Sequence, residues 1–443
     1  MKQKTVLTKR LFGWAVCGVG LFACGMTSCS EKDAPVSYVL QQSDISVDEP
    51  EEGFVSQVSQ LFRIEVESVS DEGITYVWAL DGEKIPGGKT LEYMFSVAGT
   101  YELVLTVSQG ELSFDYKFQI KVVSEESVPL PGDATAYITK VLDFMPAVGQ
   151  FTNTMPAYEV GDTQETMNRK VLEAIGNNNR GLISLGGFGG YVVVGFDHTI
   201  ENKKGLCDFR VLGNAFSAAS GSESDRPQGG SCEPGVIMVA YDKNKNGMPD
   251  ENEWYEIAGS AHQDPTQEAW YQLAVDNGND VNLYRDYEIT YYRPNETMNA
   301  PLASPIDEYI RWEDNQGRSG YKVKNTYHAH PYFPQWFDGE KLTFRGTCLP
   351  QNGIDESGEG NYYVLYKFRY GYADNEVNTG NAAAIDIDWA VDADGQKVSL
   401  PGVDFIKVYT GINQENGWLG ECSTEITSVE DLHLLGEEIP VKE

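Results

Sequence analysis

Strict alternation of apolar and polar residues marks the early part of the chain as β-structure. Gly99-Thr100-Tyr101-Glu102-Leu103-Val104-Leu105-Thr106-Val107 puts Tyr101, Leu103, Leu105 and Val107 on one face of a strand. Tyr76-Val77-Trp78-Ala79-Leu80 runs into Asp81-Gly82, a two-residue hairpin signal, and Phe114 to Val123 supplies a closing strand. These patterns predict a β unit over residues 37–125. Residues 126–135 hold Pro129, Pro131 and Gly132 without periodicity and predict a stiff linker.

Residues 136–443 predict a second, larger β unit with few helices. One helix is legible from Thr163 to Ile175. Asp162 or Thr163 can cap it, Met167, Val171 and Ile175 share one face, and Gly176 can close it. Strands are predicted over Leu182–Leu185, Tyr191–Phe196, Gly235–Tyr241, Tyr287–Tyr292, Leu342–Arg345, Tyr362–Phe368 and Phe405–Tyr409. Gly186-Gly187-Phe188-Gly189-Gly190 is rich in glycine, but a strand follows it, so it predicts a turn rather than a dinucleotide loop. No repeat of fixed period argues for a propeller. The fold class expected is therefore mostly all-β: a small sandwich followed by a larger, jelly-roll-like one.

The N-terminus changes the picture of where this fold works. Met1 to Arg10 is basic, and Leu11 to Ala23 is apolar but short for a membrane span. Residues 1–29 predict a signal peptide ending in Met26-Thr27-Ser28-Cys29, with Cys29 as the acylated residue and 30–36 as a tether. Leu21-Phe22-Ala23-Cys24 competes for that role, but Ser30-Glu31-Lys32-Asp33 directly after Cys29 favours the later cysteine. The expected location is the outer membrane, lipid-anchored and facing outward. Four cysteines remain, Cys207, Cys232, Cys348 and Cys422; Cys207 with Cys232 is the first candidate pair, and free buried thiols are the alternative.

Charge excludes one class of partner. The chain has 67 acidic residues against 33 Lys and Arg, a net charge of −34. Nucleic acid needs a basic face, and none is available. Local motifs decide whether the acids do more than solvate the surface. Asp242-Lys243-Asn244-Lys245-Asn246-Gly247-Met248-Pro249-Asp250-Glu251-Asn252-Glu253 spaces oxygen ligands as an EF-hand-type loop does. Asp242, Asn244 and Asn246 would turn their side chains inward on a structural Ca²⁺. The Met248 carbonyl would add a backbone ligand, Asp250 a water-mediated one and Glu253 a bidentate one. Asp392-Ala393-Asp394-Gly395-Gln396 lacks the later acids and predicts only a hairpin turn.

Aromatic content is 12%, with 25 Tyr and 8 Trp. The densest stretch is Tyr327-His328-Ala329-His330-Pro331-Tyr332-Phe333-Pro334-Gln335-Trp336-Phe337. Its prolines predict a loop, and loops on rigid sandwiches carry binding sites. Tyr327, Tyr332, Phe333 and Trp336, with His328 and His330 as polar partners, are the candidate ligand-binding residues. Trp312-Glu313-Asp314-Asn315 and Tyr370-Gly371-Tyr372-Ala373-Asp374-Asn375 are weaker candidates for the same site. No Gly-x-Ser-x-Gly elbow, His-Glu-x-x-His pair or P-loop is present. The expectation is a binding protein, not an enzyme.

Family likeness sharpens this expectation. With its buried strand Trp78 and its Gly99-x-Tyr101-x-x-x-Leu105-x-Val107 strand, segment 37–125 resembles a PKD or immunoglobulin-like module. The larger unit resembles Bacteroidetes cell-surface lipoproteins. The residues that carry this likeness are Gly195-Phe196-Asp197-His198-Thr199-Ile200, Val211-Leu212-Gly213-Asn214-Ala215-Phe216, Glu233-Pro234-Gly235, Trp254 to Ser260 and Asp404 to Tyr409. With its leading module the whole is similar to the BtuH type, linked to cobalamin uptake. That resemblance implies capture of cobalamin and delivery to a TonB-dependent outer-membrane transporter. The alternatives are a glycan-binding surface lipoprotein or a calcium-stiffened adhesive protein.

Overall fold

A computed structural model describes residues 38–50, 53–58, 61–123, 134–217, 227–299, 304–378 and 381–441. The expected signal peptide, the tether, Cys24 and Cys29, and linker residues 126–133 lie outside the described residues.

The first unit is a two-sheet β-sandwich. A three-stranded sheet (45–47, 61–68, 90–94) covers a five-stranded one (54–57, 112–123, 99–109, 75–80, 83–85). Alternation does the sorting: Phe62, Ile64 and Val66 face inward from one sheet, Leu103, Leu105 and Val107 from the other. Trp78 is fully buried between them, its indole N–H donating to the Gly88 carbonyl at 2.8 Å. Asp81 and Gly82 both take positive φ, as the tight hairpin between 75–80 and 83–85 requires.

The second unit is built on a six-stranded antiparallel sheet. Its order is 390–391, 254–257, 235–240, 402–410, 191–201, 140–145. Its middle strands are apolar on both sides. Val192, Val194, Ile237, Val239, Ile406 and Val408 share one core with the helix Gln164–Ile175, through Met167, Val171 and Ile175, and with Phe209, Val211 and Val429 of a small sheet. Tyr191, Val236, Met238 and Tyr409 face the opposite way. There they meet Tyr287, Ile289, Tyr291, Leu342 and Phe344 of a four-stranded sheet (319–324, 306–314, 284–292, 341–348). Burial on both faces explains the unbroken apolar runs 191–196 and 235–241. The mostly β architecture is as expected, with a third layer that a two-sheet sandwich lacks.

Local signals hold in detail. The helix is capped by Thr163, whose hydroxyl accepts from the Thr166 amide, and Gly176 follows its last residue. The glycine turn 186–190 passes under the sheet so closely that a Cβ on Gly190 would lie 1.9 Å from the Leu185 carbonyl oxygen. Cys207, Cys232, Cys348 and Cys422 are buried and joined by no disulfide, which corrects the Cys207–Cys232 pairing. Cys207 packs with Leu432 and Ile439 in a satellite cluster, whereas the Cys232 carbonyl accepts from Asn352 elsewhere.

The doubly buried sheet sets the stability of the unit. Ile406→Ala should cost about 2–5 kcal/mol in urea unfolding, with the slope of the transition unchanged. A loss under about 1 kcal/mol would contradict this placement of the core.

Candidate functional site

The aromatic loop 327–337 is mostly an anchor, which corrects its assignment as the ligand surface. Tyr332 and Phe333 are 1% and 0% exposed and sit in the core between the two large sheets. Trp336, 9% exposed, stacks on Phe144 with centroids 6.0 Å apart and donates to the Gln164 amide oxygen at 3.0 Å. The prolines break the strand pattern, and the freed rings drop into the gap at the sheet edge instead of facing solvent. Tyr327 stays exposed, and His330 is exposed beside it. His328 is half-buried against Phe151, and burial together with His330 lowers its pKa.

Loop 242–253 winds around its own oxygens. The two Asp242 carboxylate oxygens accept from the Asn246 and Gly247 amides at 3.0 and 2.7 Å. The Asn246 side-chain oxygen accepts from the Met248 amide, and Asp250 accepts from the Asn244 and Asn246 side-chain amides. Glu253 is buried and accepts from the amides of Lys243 and Asp250. Gly247, at φ 80°, permits the bend. The loop thus turns its oxygens onto its own backbone and side-chain amides.

A groove of about 330 Å³ opens where the hairpin 306–324 meets the segments 280–284, 348–351 and 413–415. Three of its lining rings are Tyr284, Trp312 and Tyr321. Trp312 pairs across the strands with Gly320, where a Cβ would lie 3.0 Å from the indole. The missing side chain leaves the ring uncovered there. Polar groups stand among the rings in fixed positions. Arg318 is held by Asp280 and by Asp314, the latter at 2.7 Å, and lies over the Tyr284 ring at 5.3 Å. Lys322, 4% exposed, is held by Glu415 at 2.5 Å and by the Asn413 side-chain oxygen at 3.3 Å. Burial pushes the Asp280 carboxyl up, but the bonds from Arg318 and Asn282 outweigh it, and its pKa ends below the usual value. Of these residues, only the Trp312 stretch was suggested by the sequence.

Apart from the groove, an acidic cluster forms that no local spacing announces, with Asp374 and Glu425 buried and Glu233 half-buried. One carboxylate oxygen each of Glu233, Asp374 and Glu425 lie within 4.8 Å of one another. Among the described residues this is the group of three or more His, Cys, Asp or Glu so gathered, and the carboxylates of loop 242–253 do not form another. Backbone amides of Asn214, Ala215 and Glu425 donate to Asp374, and the Ser423 hydroxyl donates to Glu425. Glu233, Glu421 and Glu425 also line a cavity of about 120 Å³ with Ser231 and Ser423. Burial, then the neighbouring carboxylates, push Glu425 up to about 8 and Glu421 likewise to about 8. Burial raises Asp374 to about 7 despite its backbone bonds.

No family model and no curated protein matches the chain. Among solved structures, a quinonprotein alcohol dehydrogenase-like protein of Bacteroides thetaiotaomicron shares 16% identity over 25% of this chain and 24% of its own, with a TM-score of 0.16. The SGBP-B protein of the Bacteroides ovatus mixed-linkage glucan utilization locus, solved with a mixed-linkage heptasaccharide, shares 10% identity. That match covers 64% of this chain and 46% of the other, with a TM-score of 0.16. A SusE-like protein shares 10% identity over 88% of this chain and 97% of its own, with a TM-score of 0.24. At such scores none of them carries an argument about this chain.

The acidic cluster makes stability depend on pH. Its folded-state pKa values, about 7 for Asp374 and about 8 for Glu421 and Glu425, stand above the ordinary 3.8 and 4.5. Below about pH 4 both folded and unfolded chains hold these protons. Between there and about pH 8 the unfolded chain releases protons that the folded chain retains, so rising pH favours unfolding. The urea midpoint should therefore fall from pH 5 to pH 8, and Glu421→Gln should reduce that fall. An equal fall in the variant would contradict the burial of this carboxyl.

Proposed function

We propose that the chain is a carbohydrate-binding protein of the cell surface, anchored by lipid at Cys29, and that its ligand lies in the groove at Trp312. One observation carries this reading: three rings and a set of pre-placed charged and amide groups line a single cavity of about 330 Å³. A pyranose presents an apolar face and a rim of hydroxyls. Stacking serves the first, and the Asp280, Arg318, Lys322 and Glu415 rim serves the second. The volume falls at the lower end of the range for small-ligand sites. Among the described residues no helix is long and apolar enough to cross a membrane.

Glycan thus replaces cobalamin as the favoured ligand. A flat macrocycle needs a broad apolar platform, and the rings expected to form one, Tyr332, Phe333 and Trp336, are core residues. In the groove, rings and charges interleave. Binding rather than catalysis is the role that this arrangement supports.

We also propose that loop 242–253 holds a structural Ca²⁺ through Asp242, Asn244, Asn246, the Met248 carbonyl, Asp250 and Glu253. Ion at a thousandfold its Kd would add about 4 kcal/mol to stability. Chelator should then lower the melting temperature, and Asp242→Ala should abolish that response. A melting curve indifferent to chelator and to added Ca²⁺ would end the metal proposal without touching the groove.

The groove has its own test. In titration calorimetry against a panel of polysaccharides, Trp312→Ala should weaken binding by about 2 kcal/mol or more, roughly 30-fold in Kd. Gly320→Val, which lays a side chain on the indole, should weaken it too while the protein stays folded. Tyr327→Ala, in the aromatic loop, should leave affinity unchanged. The reverse pattern would move the site to that loop.

A further inference from the structure

Resting on the carbohydrate reading, we infer that the groove excludes glycans bearing carboxylate or sulfate groups. The inference comes from how the charges of its two lining cations are already balanced. Arg318 gives its Nε to Asp314 and its Nη1 to Asp280. Lys322 gives its ammonium to Glu415 and Asn413. Three carboxylates thus answer two cations, so the wall of the groove carries no surplus positive charge. Asp314 is 0% exposed at its side chain, and Lys322 is buried, so the Arg318–Asp314 and Lys322–Glu415 pairs are not loose surface contacts that a ligand could exchange cheaply.

The amides of the groove are also committed. The Gln351 side chain accepts from the Asp280 amide and donates to the Asn413 carbonyl. The Asn413 side chain accepts from Lys322 and donates to the Tyr287 hydroxyl. Gln414 closes on both backbone groups of Gly353. Asp280 already accepts from Arg318, Tyr284 and both nitrogens of Asn282, so Glu415 is the less committed acceptor, and the N–H groups that Arg318 and Lys322 keep are each backed by a carboxylate. A sugar hydroxyl can donate to Glu415 and accept from the remaining N–H groups of Arg318 and Lys322. A carboxylate or sulfate can only accept. It would bring a further negative charge to a wall where Asp280, Asp314 and Glu415 already outnumber Arg318 and Lys322. The net charge of −34 adds a repulsive long-range field.

The test uses the full chain and a matched set of ligands. The best neutral glycan of a panel of glucans, mannans, xylans and galactans is compared with two derivatives of itself. In one, the C6 hydroxymethyl groups are oxidised to carboxylates; in the other, hydroxyls are replaced by amines. Titrations are run at low and high salt. Expected are tight, salt-independent binding of the neutral glycan and at least tenfold weaker binding of the oxidised one, the gap narrowing as salt screens the field. Asp280→Asn frees a bond of Arg318 and should shrink the neutral-to-oxidised ratio several-fold. If the oxidised glycan binds as tightly as its neutral parent, or the aminated one loses as much affinity as the oxidised one, exclusion by negative charge is overturned while sugar binding stands. An unchanged ratio in Asp280→Asn would overturn the assignment of that selectivity to the Arg318–Asp280 pair. If no glycan of any charge binds, the carbohydrate reading itself falls.

Discussion

A sheet that is apolar on both faces cannot be left with either face in water, and the larger unit is organised around that constraint. The strands 191–201, 235–240 and 402–410 each send side chains into two separate cores. Burial of such area is the main favourable contribution to folding. The helix 164–175 and the small sheet cover one face, and the four-stranded sheet covers the other. Everything in the groove follows from the second covering. The central strand 402–410 runs straight on into 411–415, which carries Asn413 and Glu415 to the hairpin that bears Trp312 and Lys322. The groove is therefore a seam between the four-stranded sheet and the segment that leaves the central strand, and its ion-paired walls are pre-placed, which limits the ordering cost of binding.

Charge is handled differently in three places. In the groove each lining cation is closed by carboxylates, which fixes geometry and leaves little net field. In the cluster of Glu233, Asp374 and Glu425, backbone amides and hydroxyls supply the partners, and burial keeps protons on the acids. In loop 242–253 the acids are tied to the backbone of their own turn. An acidic total thus conceals distinct local solutions, and the total alone speaks only to long-range behaviour.

The fold was legible wherever its cause was local. Alternation placed the strand at 99–107, a capping threonine and a period of 3.6 placed the helix, and glycines placed the turn at 186–190. The third layer was not legible, because which face a strand shows to which partner is a long-range property. The hairpin 306–324 escaped as strands because charged residues interrupt its apolar alternation, yet Trp312 within it was noticed. The aromatic loop misled for a physical reason: ring density measures apolar payload and does not say whether a ring points into the core or out. Glu233, Asp374 and Glu425 meet only after folding, and hydrogen bonds that bind their segments together span 190 and 51 positions. No spacing rule reaches that far.

Hydrogen–deuterium exchange of the full chain, with and without a saturating neutral glycan, probes the seam most directly. The groove requires slowed exchange in 280–284, 312–322 and 411–415, with 327–337 unchanged. Slowed exchange confined to 327–337, or to the first sandwich, would contradict it.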